Sequence, residues 1–559
     1  MSWRREKSYD FFVVLALLLM APTASADERS ATLIVVGGRV WTAEAGAPWA
    51  EAVAIRGDRI LAVGSRREIE ALANQETQVV DAAGGLVTPG FVDAHVHLFD
   101  GGRNLKSVQL RDADSQREFV DRIAEYVATL EPGQWVLGGD WDHTLWGGEL
   151  PARDWIDAAT PDNPVWIQRL DGHMALANSL ALEQAGVDDS AVVPEGGAIE
   201  RDSSSRITGL LRDNAMSLVE HAVPRPTARQ LLEELQAATA YLHANGVTCV
   251  GHMGSLEELR ALRAARAAGQ LQVRVHAATP LAQWKLLVDE IASNGRGDDW
   301  VAAGGLKGFV DGSLGSHTAA MLEPFDDTPT GRGLLVNSED DLYGWISSAD
   351  AAGLQVMVHA IGDRAIRLQL DLFERVAKEN GPRDRRFRIE HAQHIHPADL
   401  PRFGKLGVLA SMQPYHAIDD GRWAEGVIGH ERSKTTYAFR ELLDTGAQLA
   451  FGSDWFVAPA SAIEGVYAAV TRRTLDGKHP EGWIPAQQIT VEEALRAYTL
   501  GAAYAMFAED RIGSIRAGKL ADLVVLDVDV TRTTTSDINQ ARVTHTVVGG
   551  RVVYALQEK

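Results

Sequence analysis

The chain has 559 residues, 45% of them hydrophobic and 23% charged, an ordinary globular composition with length enough for a large buried core. Its formal net charge of −22 argues against a nucleic-acid or anionic-membrane partner, because both would repel it. A single cysteine, Cys249, rules out a disulfide within the chain. Set in Gly246-Val247-Thr248-Cys249-Val250, it reads as a small core residue rather than a nucleophile.

At the N-terminus, Arg4, Arg5 and Lys7 precede an apolar run from Phe11 to Met20, and Ala24-Ser25-Ala26 offers a small-residue cleavage site. The run is shorter than the about 20 residues needed to span a bilayer. Residues 1–26 are therefore expected to be a signal peptide removed after Ala26, leaving a periplasmic or secreted protein with no stable membrane anchor. Arg4-Arg5 raises a twin-arginine export route, which the residues after the pair fit poorly.

Residues 32–40 and 50–63 then alternate and carry β-branched side chains, with Gly37-Gly38 and Arg56-Gly57-Asp58 as turns. Residues 521–528 and 543–554, the latter broken by Gly549-Gly550, answer them at the C-terminus. One small β domain built from both ends is expected, from 27–85 and 508–559. Between them, apolar strands alternate with Ala/Leu/Arg-rich helical stretches such as 226–244 and 256–268, the mark of βα units around a parallel sheet.

Eight strands can be counted, over 86–97, 247–252, 273–279, 306–313, 355–360, 387–392, 407–414 and 448–454. Eight closes a (β/α)8 TIM-type barrel, expected over 86–507. Residues 103–220 are too many for one connection and carry Trp135, Trp141, Trp146, Trp155 and Trp166. They read as an α/β insertion after the first strand, lying over the barrel mouth, with most of its tryptophans in its own core. Thr531-Arg532-Thr533-Thr534-Thr535-Ser536 reads as a surface loop.

Barrel active sites gather at the C-terminal ends of the strands. Reading those ends in order gives His95 and His97, then His359, His391 and Asp454. His95 and His97, two apart, point to one side of their strand and can reach one cation. Each also has a bland reading: His359 as a satisfied core histidine, Asp454 as a helix cap. Their joint fall at the right ends favours metal ligation. Lys307 lies early in the fourth strand as bounded here, and joins the set only if that strand begins sooner or its stem reaches up the barrel.

Neutral imidazoles and a carboxylate hold a divalent ion and leave a position for water, whose pKa then falls toward neutrality. Asp454 would take a proton from that water and return it to the leaving group. A lysine neutralised by burial can add carbon dioxide, and the resulting carbamate can bridge two cations; otherwise Lys307 faces substrate or an ion pair.

The chain resembles the amidohydrolase superfamily, and within it the amidohydrolase-3 branch of YtcJ-like and N-substituted formamide deformylase-like proteins. The resemblance rests on Thr88-Pro89-Gly90-Phe91-Val92-Asp93-Ala94-His95-Val96-His97, Asp171-Gly172-His173, Asp311-Gly312-Ser313, His359-Ala360-Ile361-Gly362-Asp363, Arg388-Ile389-Glu390-His391-Ala392, Gly452-Ser453-Asp454-Trp455 and the run from Gly513 to Val524. It implies a metal-dependent barrel hydrolase with a β-sandwich side domain, cleaving C–N bonds of amides, formamides or ring ureides. It also implies His95, His97 and Asp454 at a more buried ion, His359 and His391 at a second, and Lys307, carboxylated, between them. One or two divalent ions, zinc first, are the expected cofactors. The aromatic residue that relatives often carry after Asp-Gly-His is absent from Met174-Ala175-Leu176-Ala177-Asn178-Ser179, which leaves the acyl or N-substituent pocket open.

His173, Arg212, Asp311, His317, Gln413 and His416 are the candidate substrate contacts for a small amide-type molecule. Gly513-x4-Gly518-Lys519 imitates a phosphate-binding loop, but Leu520 stands where Ser or Thr must touch magnesium. No Gly-x-Ser-x-Gly supports a serine hydrolase, and His394 and His396 read as a loop at a helix start. The alternatives are a deaminase of the same fold and an exported binding or regulatory protein that has lost turnover. A homo-oligomer is compatible with the sequence.

Overall fold

The structure, a computed structural model, describes residues 30–557; the expected signal peptide lies outside the described residues. Among those described, no helix is long and apolar enough to cross a membrane.

Both ends of the described chain build two sheets. One has four strands in the order Arg59–Gly64, Ala52–Arg56, Leu33–Val36, Gln78–Asp81. The other has six, in the order Arg551–Ala555, Val543–Val548, Leu523–Leu526, Leu86–Pro89, Arg39–Trp41, Trp49–Ala50. Leu33 and Val35 meet Val87, Leu523 and Val547 between the sheets. Ile34 and Val36 on the opposite face cover Ile69 of the short helix Arg66–Glu70. Burial on both faces explains why Leu33–Val36 is apolar throughout rather than alternating.

Eight parallel strands make the barrel: β1 (Phe91–Val96), β2 (Val247–Met253), β3 (Arg274–Pro280), β4 (Val301–Phe309), β5 (Gln355–Ala360), β6 (Arg388–His391), β7 (Leu409–Met412) and β8 (Leu449–Phe451). The ring closes just past the end of β8, where Asp454 N donates to His95 O at 2.8 Å and His97 N to Trp455 O at 2.7 Å. The expected (β/α)8 barrel with a separate β domain is the architecture found.

Two expected strands differ most in their bounds. The run 86–97 is two strands, because Leu86–Pro89 pairs antiparallel with Leu523–Leu526 in the β domain and only Phe91 onward pairs with β2. The boundary drawn at 85/86 therefore moves to Gly90. A Cβ there would lie 2.3 Å from Thr248 Oγ1, so only glycine lets the chain cross so close to β2. The fourth strand starts at Val301 rather than 306, since Ala302, Ala303, Gly304 and Gly305 carry little β-branched signal. Lys307 is consequently the seventh of its nine residues and lies in the half nearer the mouth.

The helix expected over 226–244 is Ala228–Ala244, started by Thr227 and Gln230 in a reciprocal cap. Residues 103–220 carry their own six-stranded mixed sheet, running Gly197–Arg201, Ile207–Asp213, Met174–Ala177, Val165–Arg169, Val136–Trp141, Val108–Gln109. Trp141, Trp146 and Trp155 ring Phe119 in its core. Cys249 is buried, and burial pushes its thiol up to about 12, so it is an inert core residue. The Lys519 amine is consumed by Glu509 O, Ile512 O and Ser514 Oγ, leaving nothing for a phosphate.

Candidate metal centre and cleft

The strand ends bring His95, His97 and Asp454 together, with one donor atom from each lying within 4.8 Å of the others. Asp454 Oδ1 stands 3.4 Å from both His95 Nε2 and His97 Nε2. That oxygen is buried and has no hydrogen-bond partner. A buried carboxylate oxygen left bare is costly, and a cation is the partner that two neutral imidazoles can share with it. Two ligands of one zinc ion, each at about 2.1 Å, lie at most about 4.2 Å apart, and both Asp454–His separations of 3.4 Å fall inside that limit. The donor set therefore fits a divalent ion.

Each ligand is held by a neighbour. His95 Nδ1 lies 2.6 Å from Glu390 Oε2, which also receives Arg388 Nη2 at 2.9 Å and Ser411 Oγ at 2.7 Å. Such a carboxylate fixes the ring and leaves the far nitrogen for the metal. Asp93 accepts His95 N at 3.2 Å and Ser453 N at 2.9 Å, tying β1 to the segment that carries Asp454. His391 and Asp454 both have positive φ, 72° and 59°. Non-glycine residues in that region cost about 1–3 kcal/mol each, so the surrounding contacts hold both donors in place.

Burial, reinforced by the Lys307 charge, lowers His95 to about 4; burial and neighbouring cations also push His359 and His391 well below the usual imidazole value. All three are neutral donors at neutral pH. Asp454 is buried, which alone would raise it, yet His95, His97 and His391 hold it well below the ordinary carboxylate range. It is an ionised carboxylate. Lys307 is lowered to about 8, chiefly by burial, and its Nζ lies 3.2 Å from His95 Nε2.

His359 and His391, expected together from the sequence, are neighbours at the strand ends. Their rings are 4.6 Å apart, but His359 Nε2 contacts Gly312 O at 3.0 Å. His391 also lies close to His416 and Asp454, one donor atom from each falling within 4.8 Å of the others. Gln413 Oε1 lies 2.9 Å from His391 Nδ1 in a fully buried position, so it orients that ligand rather than facing a substrate.

A cleft opens over these residues, walled by His359, His391, His416 and Asp454 from the barrel and by Asp142, Arg169, Asp171 and His173 from the insertion. His173 Nδ1 is 2.7 Å from Asp213. Three expected substrate contacts are not part of this wall. Arg212 turns to Glu200 at 3.2 Å. Asp311 is buried with its oxygens taken by the amides of Ala320, Ile361 and Gly362. His317 pairs with Asp327 at 2.8 Å. Glu390, Asp93 and the Arg169–Asp171 pair were not singled out from sequence. Arg388 and Glu390 were readable in principle, as two charges two apart on one face of an apolar strand.

The comparisons with known proteins agree with this geometry. The model of the amidohydrolase family matches residues 78–554. The chain is 41% identical over 537 residues to Protein LONG AFTER FAR-RED 3 of Arabidopsis thaliana, covering 94% of this chain and 92% of that one. It is 29% identical over 546 residues to the N-substituted formamide deformylase of Arthrobacter pascens, covering 93% and 98%. Among solved structures, an uncharacterized metal-dependent hydrolase of Pyrococcus horikoshii OT3 superposes with a TM-score of 0.73 at 28% identity, covering 90% of this chain and 99% of that one. With the family's motifs at the strand ends and its model matched from the first sheet to the last, this chain belongs to the amidohydrolase family.

Proposed function

We propose that the protein is an exported hydrolase that cleaves the C–N bond of a small amide, formamide or cyclic amide. The observation that carries this reading is the convergence of His95, His97 and the bare Oδ1 of Asp454, with Asp454 itself lining the cleft. A divalent ion seated there, zinc by preference of its nitrogen and oxygen donors, supplies Lewis acidity toward a carbonyl and acidifies bound water. His95, locked by Glu390, and His97 would hold the ion; Asp454 would accept a proton from the attacking water and return it to the departing nitrogen.

Lys307 fits a further role. Its amine, buried within hydrogen-bond reach of His95, can add carbon dioxide, forming an N–C bond and releasing one proton to give a carbamate. The reading predicts that metal uptake by stripped protein rises when bicarbonate is added, and that Lys307→Arg abolishes the rise. Choice of a C–N bond is supported by the likeness to a formamide deformylase, and export by the character of residues 1–26.

The decisive experiment screens metal-stripped and zinc-reloaded protein against N-acyl amino acids, N-substituted formamides, dipeptides and cyclic ureides. Release of an amine, or ring opening of a cyclic ureide, only after reloading is the expected result. Full activity in stripped protein, or ammonia released only from ring amines, would sink the proposal.

A further inference from the structure

We propose that the crevice between the insertion and the barrel is a binding site for a small, neutral aromatic carboxamide. The inference goes beyond the hydrolase reading and does not rest on it.

The crevice holds a cavity of about 620 Å³, within the roughly 300–1,000 Å³ of small-molecule sites, which favour domain interfaces. One side is the face of the insertion sheet that carries Leu137, Trp166 and Gln168. The other is formed by the helices Leu98–Asn104 and Ala228–Ala244, with Phe456 from the loop after β8. Strand alternation makes the first side. Val136, Val165 and Ile167 turn into the core around Phe119, so Leu137 and Trp166 turn to the opposite face, where Trp135 joins them. Phe456 also sets its ring 6.0 Å from that of His97, so the cavity adjoins the metal centre through one side chain.

Two atoms indicate what the cavity takes. Trp166 is 4% exposed and Glu234 9%; both line the cavity, and Trp166 Nε1 and Glu234 Oε2 are buried with no hydrogen-bond partner. The other Glu234 oxygen accepts from Arg103 Nε at 3.1 Å. An indole N–H only donates and an ionised carboxylate only accepts, and either one left bare in a buried place is costly. A primary carboxamide answers both, because its carbonyl accepts and its amino group donates. Tyr126, Trp135 and Phe456 add ring surface for an aromatic body. The charges on the wall cancel, Asp100, Glu220 and Glu234 against Arg103, Lys106 and Arg225. A neutral ligand suits such a wall better than an ion.

The test is calorimetric titration of full-length protein with benzamide, in zinc-loaded and metal-stripped forms. Equal binding by both forms, one molecule per chain, is expected. Binding that needs zinc would put the probe at the metal centre and overturn the inference, as would no binding at millimolar benzamide. Trp166→Phe keeps a ring but loses the N–H, and should weaken binding about tenfold. Acetophenone, which has the ring and carbonyl but no N–H, should bind wild-type protein about tenfold more weakly than benzamide. Unchanged affinity in either comparison refutes the pair of hydrogen bonds. Should Trp166→Phe fold poorly, wild-type crystals soaked in benzamide decide: the amide seated between Trp166 and Glu234 supports the site, and water alone there refutes it.

Discussion

Glu390 Oε2 lies 2.6 Å from His95 Nδ1, and neither side chain has any exposed surface. Burial alone would raise Glu390, but Arg388 beside it and the His95 hydrogen bond hold its carboxyl down to about 2, so a full negative charge backs this ligand. Glu390→Gln keeps the shape and a hydrogen bond but removes the charge. Zinc affinity, measured by competition with a chelator, is expected to fall about 10–100-fold. Affinity equal to wild type would mean that His95 needs no such support.

Asp454 combines ligation with proton transfer. Asp454→Asn leaves a neutral amide between His95, His97 and His391 and should retain the fold, since the neighbouring backbone bonds Asp454 N to His95 O and His97 N to Trp455 O do not involve the side chain. Turnover is expected to drop at least about 100-fold, with metal content measured on the same sample. His95→Ala, by contrast, should lose bound metal outright. An Asp454→Asn enzyme working at wild-type rate would remove the proton shuttle from the mechanism.

Much of this centre was legible because its residues sit at or just past the ends of buried strands. β5 matched residue for residue, and strand order alone picked out His95, His97, His359, His391 and Asp454 as candidate ligands. Lys307 was harder to place, because the Ala-Gly stretch before it hides the start of β4. The role of Glu390 depends on β6 lying across the barrel from β1, a distance of 295 residues that no local pattern records. The substrate-contact expectations for Arg212, Asp311 and His317 rested on motif neighbourhood. A carboxylate such as Asp311 looks the same in sequence whether it faces a ligand or three backbone amides.

Acid should loosen the insertion from the barrel. Asp171 receives Arg169 Nη1 at 2.6 Å and Ser316 Oγ at 2.9 Å. Burial would raise its pKa, but Arg169 and these donors hold it down to about 2. A folded value below the unfolded one means the stabilisation is complete above about pH 4 and disappears as pH falls toward 2. It amounts to on the order of 2 kcal/mol. Asp171→Asn should therefore lower the urea midpoint at neutral pH and show a shallower decline than wild type on acidification. Parallel curves for the two proteins would assign the acid sensitivity elsewhere.

A buried ion pair joins the barrel to the β domain. Arg274 on β3 donates through Nε to Asp522 Oδ2 at 2.6 Å and through Nη2 to Oδ1 at 2.9 Å, with both side chains under 5% exposed. The guanidinium also lies 4.5 Å from the Trp300 ring. Arg274→Met would strand a buried carboxylate, which still has the Gly549 amide at 2.8 Å. The expected loss is about 3–5 kcal/mol of stability, seen as a lower urea midpoint. Arg274 is the first residue of β3, at the end of the barrel away from the mouth, so kcat per folded molecule should stay unchanged. Adding Asp522→Asn to Arg274→Met removes the stranded charge and should recover part of the loss. A double variant no more stable than Arg274→Met would show that lost packing of the arginine against Trp300, rather than the uncompensated charge, sets the cost.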